Sequence, residues 1–290
     1  MRIVVLSKPD SWYFLDLARA SGDRHDLAAM SFESLAASVG PKMKFSLDAE
    51  CIVARTMPAG SLEQVVFRMD CLNQLKAAGV LLINSPRSIE AAVDKYLSLA
   101  LLQQAGLSVP ATCVGQDLST AMRGFHELGE DVVVKPIFGS LGRGLVRLQT
   151  KEEAANYFRE LIVEERVIYQ QEFITHPGYD VRLLVLGERV WGMKRKNSRH
   201  WITNISQGGV GEVYQVGAEE RELALRAARA VGAHFAGVDL ITDSKTGKQH
   251  ILEVNAVPGW RAISSVLEVD IAAELISEIE QLHKSLTDCN

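Results

Sequence analysis

Gly237-Val238-Asp239-Leu240-Ile241 and Ile251-Leu252-Glu253-Val254-Asn255 flank the polar segment Asp243-Ser244-Lys245-Thr246-Gly247-Lys248. Two apolar runs joined by such residues read as a β-hairpin. Alternate side chains of a strand share a face, so Glu253 and Asn255 point one way while Leu252 and Val254 point the other. If the strands pair, Asp239 joins the first two. Two carboxylates and an amide oxygen are hard donors, the set that suits Mg²⁺ beside phosphates. A solvated hairpin face would show the same residue types. The turn Asn255-Ala256-Val257-Pro258-Gly259 favours a site, because it leaves Asn255 at a strand end.

Working outward, Val132-Val133-Val134-Lys135-Pro136 is an apolar strand closed by a lysine, followed by Gly139-Ser140-Leu141-Gly142-Arg143-Gly144 and a second apolar stretch from Leu145 to Leu148. The order fits neither a Rossmann turn, which opens a helix, nor a Walker loop, which needs Gly-Lys-Ser/Thr. Glycines between two strands make a hairpin tip whose free N–H groups can wrap phosphate oxygens. A nicotinamide oxidoreductase is disfavoured on the same ground.

The first 93 residues alternate strand and helix. Ile3–Leu6, Ala49–Ala54 and Val80–Asn84 are short apolar strands, and Trp12–Ala20 and the run from Leu62 to Leu75 carry helical spacing. That alternation implies a parallel sheet with its functional edge at the strand C-termini, just past which lie Lys8 and Arg55. Ser88–Gly106 reads as one helix with Lys95 off its apolar stripe. Asp180–Leu186 and Val190–Lys194 read as a hairpin followed by Arg195, Glu219–Ala233 as an amphipathic helix, and Val269–Leu286 as a terminal helix.

Composition narrows the class. The chain has 290 residues, 47% of them hydrophobic, so it can bury several cores. A net charge of −5 offers no footprint for nucleic acid. Cys51, Cys71, Cys113 and Cys289 lack metal spacing and are expected as reduced thiols of a cytoplasmic protein. No apolar run approaches the roughly 18 residues of a membrane span, and the start has no signal-peptide pattern. Neither a Gly-x-Ser-x-Gly motif nor a histidine ligand pair occurs.

Asp94-Lys95, Val-Val-Lys135-Pro, Gly-Ser-Leu-Gly-Arg-Gly, Gln171-Glu172-Phe173-Ile174, Asp180-Val-Arg182, Asn204, Gly237-Val-Asp239 and Glu253-Val-Asn255, in this order, resemble the ATP-grasp ligases and within them the RimK-type branch. Arg55-Thr-Met-Pro-Ala-Gly-Ser61, Phe67-Arg68-Met69-Asp70 and Val257-Pro-Gly-Trp-Arg261 are similar to the α-L-glutamate ligases of tetrahydromethanopterin biosynthesis. The resemblance implies an α/β (α+β) ATP-grasp fold. A Rossmann-like N-terminal domain (residues 1–93, on the acceptor side) precedes two α+β lobes (94–175 and 176–290) that clamp ATP.

It further implies that Lys95 and Lys135 contact phosphates and that Gly139, Ser140, Leu141, Gly142, Arg143 and Gly144 form a lid. Gln171, Glu172, Phe173 and Ile174 would be the adenine hinge, with Glu172 or Asp180 beside the ribose. Asp239, Glu253 and Asn255 would hold two Mg²⁺ ions, for which Mn²⁺ can substitute. Arg195 and Asn204 would face the transferred phosphoryl group, and Lys8, Arg55, Arg182 and Arg261 would bind substrate. One departure is Ile202-Thr203-Asn204 where relatives that modify a ribosomal protein usually have Arg-Ser-Asn.

The implied reaction joins L-glutamate to a small-molecule carboxylate acceptor through an acyl phosphate, with no nucleic acid or membrane partner and with homo-oligomers common in the family. Trp12, Tyr13, Trp201 and Trp260 are candidates for stacking on a pterin. A protein-tail or peptide ligase and a non-catalytic ATP-binding regulator are the competing readings. The regulator should have lost a metal ligand or a phosphate lysine.

Overall fold

The computed structural model describes residues 1–40, 47–55, 57–139 and 142–288, and three sheets make its frame. The first contains β1 (Arg2–Leu6), β2 (Asp26–Met30), β3 (Cys51–Ala54) and β4 (Leu81–Ile83), in the order β2-β1-β3-β4 and parallel throughout. Helices α1 (Trp12–Ser21) and α2 (Leu62–Ala77) make its crossovers. Ser11 caps α1 by accepting from the Phe14 N–H, and Ser61 with Gln64 forms a capping box at α2. The strand β2 escapes a reading by pattern because Asp-Leu-Ala-Ala-Met neither alternates nor is β-branched.

The expected single helix from Ser88 to Gly106 is two: α3 (Pro86–Val93) and α4 (Lys95–Gln104). Asp94 divides them, in extended conformation, with its carboxylate accepting from the Tyr96 and Leu97 N–H groups at 2.8 and 3.0 Å. An aspartate that caps a new helix ends the old one, a competition that periodicity does not register. The break makes Lys95 the first residue of α4.

The second sheet holds β5 (Thr112–Gly115), β6 (Val132–Lys135), β7 (Val146–Leu148) and β8 (Ile168–Glu172), all antiparallel in the order β5-β8-β6-β7. It packs with α5 (Leu118–Glu127) and α6 (Lys151–Val163) around Phe125, Val132, Val134, Phe158 and Ile168. The β6–β7 pairing makes the glycine-rich segment a hairpin tip, as expected.

The third sheet runs β11-β10-β9-β12-β13, again antiparallel: β9 (Tyr179–Leu186), β10 (Arg189–Lys196), β11 (Val210–Tyr214), β12 (Phe235–Thr242) and β13 (Gln249–Asn255). Arg195 lies within β10 rather than after it. The remaining helices are α7 (Ala218–Ala230), α8 (Arg261–Leu267) and α9 (Ile271–Asp288). The β12–β13 hairpin pairs Asp239 with Glu253 and Gly237 with Asn255, with a bulge after Asp239.

The first and third sheets share their cores. Val4, Leu6 and Ile52 pack with Val181, Leu183 and Val238, while Ile3, Val5 and Val53 pack with Leu184, Trp260 and Ile276. Strand alternation thus sends neighbouring residues of β1 and of β9 into different cores. Asn84, 1% exposed at the end of β4, stitches the two sheets further. Its oxygen accepts from the His234 and Phe235 N–H groups at 2.7 and 2.9 Å, and its amide donates to the Phe235 and Ala256 carbonyls at 2.5 and 2.6 Å. The core of the second sheet contains no residue of the other two.

Candidate active site

A cleft opens between the second and third sheets. Its chemistry on the first wall is set by two lysines brought together by unrelated elements. Lys135, at the end of β6, donates from Nζ to the Gln171 Oε1 on β8 at 2.6 Å. Gln171 is fixed in turn by donating to the Thr112 hydroxyl at 3.0 Å. Burial pushes the Lys135 ammonium down to about 8, aided by the like charge of Lys95 and opposed by Glu253 and Asp239. Lys95 donates to the Gly139 carbonyl at 2.7 Å, and burial lowers it also. Among the described residues neither lysine has a carboxylate within ion-pair distance.

The opposite wall is built the other way. Asp239 receives both Nε and Nη2 of Arg182, the latter at 2.8 Å, and Nη2 of Arg195 at the same distance. Arg195 also forks onto both oxygens of Asp180, with its Nε at 2.8 Å. Asp180, Arg195 and Asp239 are 2–4% exposed. Burial works against the charged form of Asp239, yet the two guanidinium groups hold it below the ordinary carboxylate range. Arg182 fits because residue 237 is glycine; a Cβ there would stand 2.7 Å from its Nη1. Two arginines and two aspartates, bidentate and packed on strands, form a neutral and rigid base.

Asp180 was expected beside a ribose. It lines the cleft, but both of its oxygens are committed to Arg195. Glu172, the other ribose candidate, accepts from the Ala111 N–H at 2.7 Å. Gln171, Glu172, Phe173 and Ile174 all line the cleft where β8 leaves the second sheet. Gly139, Gly142 and Arg143 line it from the hairpin tip, whereas Ser140 and Leu141 lie outside the described residues. Gly142 has φ +68°, and a Cβ on it would fall 2.7 Å from the Asn204 Oδ1, so the tip rests directly on the opposite wall.

Residues not singled out from the sequence complete the cleft. Ile241 follows Asp239 by two positions, and alternation could have found it; Val133 stands on β6 of the second sheet and Leu252 on β13 of the third, next to Glu253. His176 comes from a loop that carries no periodic signal, and so does Trp201, a stacking candidate from the sequence that lines this cleft rather than joining Trp12, Tyr13 and Trp260. Trp201 meets Phe173 edge to face at 5.9 Å and stacks on His200.

Asp239, Glu253 and Asn255 share one end of the hairpin, as expected. Glu253 is half-buried, with Oε1 4.0 Å from Arg182, and Asn255 Oδ1 accepts from the Val257 N–H at 2.8 Å. Among the described residues no group of three or more His, Cys, Asp or Glu is placed to hold a metal ion. Both Asp239 oxygens are held by Arg182 and Arg195 here. The donor set expected from the sequence is two carboxylates and an amide, all oxygen. That fits Mg²⁺, which keeps water and substrate oxygens in its remaining positions.

The four expected substrate residues separate. Arg182 belongs to the network behind the cleft. Lys8 is exposed beyond β1, and Arg261 begins α8 with Cζ 5.3 Å from the Trp12 ring. Arg55 is 4% exposed at the end of β3, and burial pushes it down to about 10. Of the aromatic candidates, Trp260 is fully buried with Nε1 donating to Asp16 at 2.8 Å, while Trp12 and Tyr13 are half-buried beside it. Cys51, Cys71 and Cys113 are free thiols, and no helix among the described residues is long and apolar enough to cross a membrane.

Residues 92–279 match the RimK-like ATP-grasp domain. The tetrahydromethanopterin:α-L-glutamate ligase of Methanococcus maripaludis is 33% identical, over 96% of this chain and 97% of its own length. That of Methanocaldococcus jannaschii is 37% identical over 76% of each chain. The structure of the ATP-grasp ligase PsnB complexed with minimal precursor, Mg and ADP superposes with a TM-score of 0.74. It is 24% identical and covers 97% of this chain and 98% of its own.

Proposed function

This chain belongs to the RimK-like ATP-grasp family, and from that premise we propose that it joins the amine of L-glutamate to a carboxylate of a tetrahydromethanopterin-type acceptor. It is an ATP- and divalent-metal-dependent carbon–nitrogen ligase that forms an amide bond. The observation that carries the reading into chemistry is the asymmetry of the cleft: two lysines without counter-ions face a wall whose arginines are already neutralised.

In this reading Lys95 and Lys135 meet the phosphates, and the tip from Gly139 to Gly144 closes over them against Asn204. The segment Gln171–Ile174 takes the adenine. Asp239, Glu253 and Asn255 hold two Mg²⁺ ions, with Mn²⁺ as a substitute, and the metal supplies charge neutralisation at the transferred phosphoryl group. Residues 1–93, 94–175 and 176–290 serve as acceptor, lid and metal-binding units of a cytoplasmic enzyme.

The acceptor carboxylate attacks the γ-phosphate in line and releases ADP. The glutamate amine then attacks the acyl phosphate and expels phosphate. The residues around the reacting groups position them and stabilise charge, and none needs to act as a covalent nucleophile. A tip that seals the cleft protects the acyl phosphate from water.

Phosphate release from Mg-ATP across a matrix of amino acids and acceptors tests the reading. The acceptors are a glutamyl-ended pterin, a deazaflavin cofactor precursor and glutamate-ended peptides. Turnover with glutamate plus pterin alone is the expected result. Turnover with a peptide would keep the ligase and remove the pterin, and tight ATP binding without turnover in any well would replace the ligase by a regulator.

A further inference from the structure

Arg55 is a buried cation without a counter-ion among the described residues. It is 4% exposed, its Nε is buried with no hydrogen-bond partner, and among the described residues its guanidinium forms no ion pair. Its Cζ stands 4.5 Å from the Tyr13 ring centroid and 4.6 Å from that of Trp260, and those two rings meet edge to face at 4.7 Å. The guanidinium therefore fills the notch between two aromatic rings. Cation–π attraction offsets part of the cost of burying it, but satisfies none of its N–H donors. Elsewhere in the chain the buried guanidinium of Arg195 is forked onto a carboxylate. A buried guanidinium whose Nε meets no acceptor is a group that a carboxylate can complete.

Its position gives the fork a use. Arg55 ends β3, on the C-terminal edge of a parallel sheet, where its N–H bonds to the Leu6 carbonyl at the end of β1. Trp260 belongs to the turn that follows Asn255, and Gly259 of that turn leaves no room for a Cβ, which would lie 2.5 Å from the Tyr13 hydroxyl. The Arg55 notch and the Asp239–Glu253–Asn255 end of the hairpin are thus two sides of one short segment. Arg55 is not part of the cleft lining, so the carboxylate that reacts with the γ-phosphate lies elsewhere.

We propose that the Arg55 fork, framed by Tyr13 and Trp260, binds a second, non-reacting carboxylate of a substrate and so fixes the orientation of that molecule. This rests on the ligase reading for the identity of the substrate. The carboxylate comes either from the α-carboxyl of the amino acid or from an acidic group of the acceptor that is not being activated. The chemistry of recognition is the same for both.

Arg55→Met and Arg55→Lys, measured beside the wild-type chain, separate binding from structure. Binding predicts that glutarate and L-glutamate, titrated with Mg-ADP present, raise the wild-type Tm and fail to raise that of Arg55→Met. It also predicts a KM increase on the order of 10²-fold for one substrate only, with the Mg-ATP dissociation constant unchanged. Arg55→Lys should recover only part of that loss, because an ammonium cannot form the fork. An increase confined to glutamate assigns the α-carboxyl, and one confined to the acceptor assigns its acidic group.

Because the methionine removes a buried charge that lacks a partner, Arg55→Met should melt within a few degrees of the wild type. A large fall in Tm with both KM values unchanged would make Arg55 a structural cation and overturn the proposal. So would equal Tm shifts in wild type and variant, or no shift in either. If the wild type turns over no substrate pair, the ligase reading fails, and the glutarate titration still decides whether Arg55 is an anion site.

Discussion

The two walls of the cleft differ in how they are held and in how their charge is spent. The third sheet is welded to the first through two shared cores and the four hydrogen bonds of Asn84, and its arginines are locked to Asp180 and Asp239. The second sheet has a small core of its own and meets the other wall through few contacts. They include Gly142 against Asn204, the Phe173 ring against Trp201, and the hinge bonds of Ser108 to Ile251 and of Thr175 to Ser244. Its cleft lysine, Lys135, is held by an amide. The difference teaches a division of labour. On the proposed function, the neutral rigid wall would keep Asp239, Glu253 and Asn255 in register. The wall with its own core would bring Lys135, which has no carboxylate partner among the described residues, to the phosphates.

The strongest way to break this comparison is to damage one core and watch the other. Phe158→Ala should cost the second-sheet lobe about 3–5 kcal/mol. Trp12, Trp191 and Trp260 lie outside that lobe, and because Trp201 meets its Phe173 the melt is read in a Trp201→Phe background. The lobe should therefore lose its protection from hydrogen exchange while the tryptophan fluorescence melt of the remainder stays put. A common transition for both probes would mean that the walls fold as one.

Next in size, Glu253→Ala should lower ligase turnover by about 10²–10³-fold, with the fluorescence melt unchanged, because the side chain is half-exposed and packs in no core. A loss of folding instead would put Glu253 among the structural carboxylates with Asp180.

Asn84→Ala tests the weld. Four buried partners would be left without a bond, at a cost of about 1–3 kcal/mol or more, and the loss should appear in the tryptophan melt. An unchanged melt would mean that the shared cores alone hold the two sheets together.

The smallest effect is one of pH. The Lys135 ammonium, depressed to about 8 by burial, is charged below that pH and loses its proton above it. ATP affinity in metal-free buffer should fall by up to about tenfold per pH unit above 8, and Lys135→Arg should flatten that limb. Stability moves the other way: between about 8 and the ordinary lysine value the unfolded chain binds more protons, so folding gains as pH rises. A flat ATP-binding profile would mean that Lys135 keeps its charge through Glu253 and Asp239.

Much of this was legible from residue order. The apolar run ending in Lys135, the glycines between two strands, and the pairing of Asp239 with Glu253 survive in the fold, because strand geometry is local. The bulge after Asp239, by contrast, brings Leu252 into the cleft lining with Glu253, and Asn255 is not among the lining residues. The break at Asp94 was legible in chemistry and hidden in periodicity, since a capping aspartate does not disturb an apolar stripe. The commitment of Asp180 and Arg195 to each other could not be read. They lie 15 residues apart, on facing positions of β9 and β10, and only the register of that pair brings their side chains together.

The sequence by itself determined most of the elements, though not β2 or the break at Asp94, together with the hairpin that presents the acidic residues and the family, since these depend on neighbours within a few residues or on motif order. Tertiary structure alone decided which charges are spent and which are free. Lys95 stands beside Lys135, Arg182 and Arg195 converge on Asp239, and Arg55 is stranded between Tyr13 and Trp260 because separate elements were packed against one another. Burial then fixed the cost of each charge. Electrostatics follows distance in space and access to water, and the order of residues along a chain specifies neither.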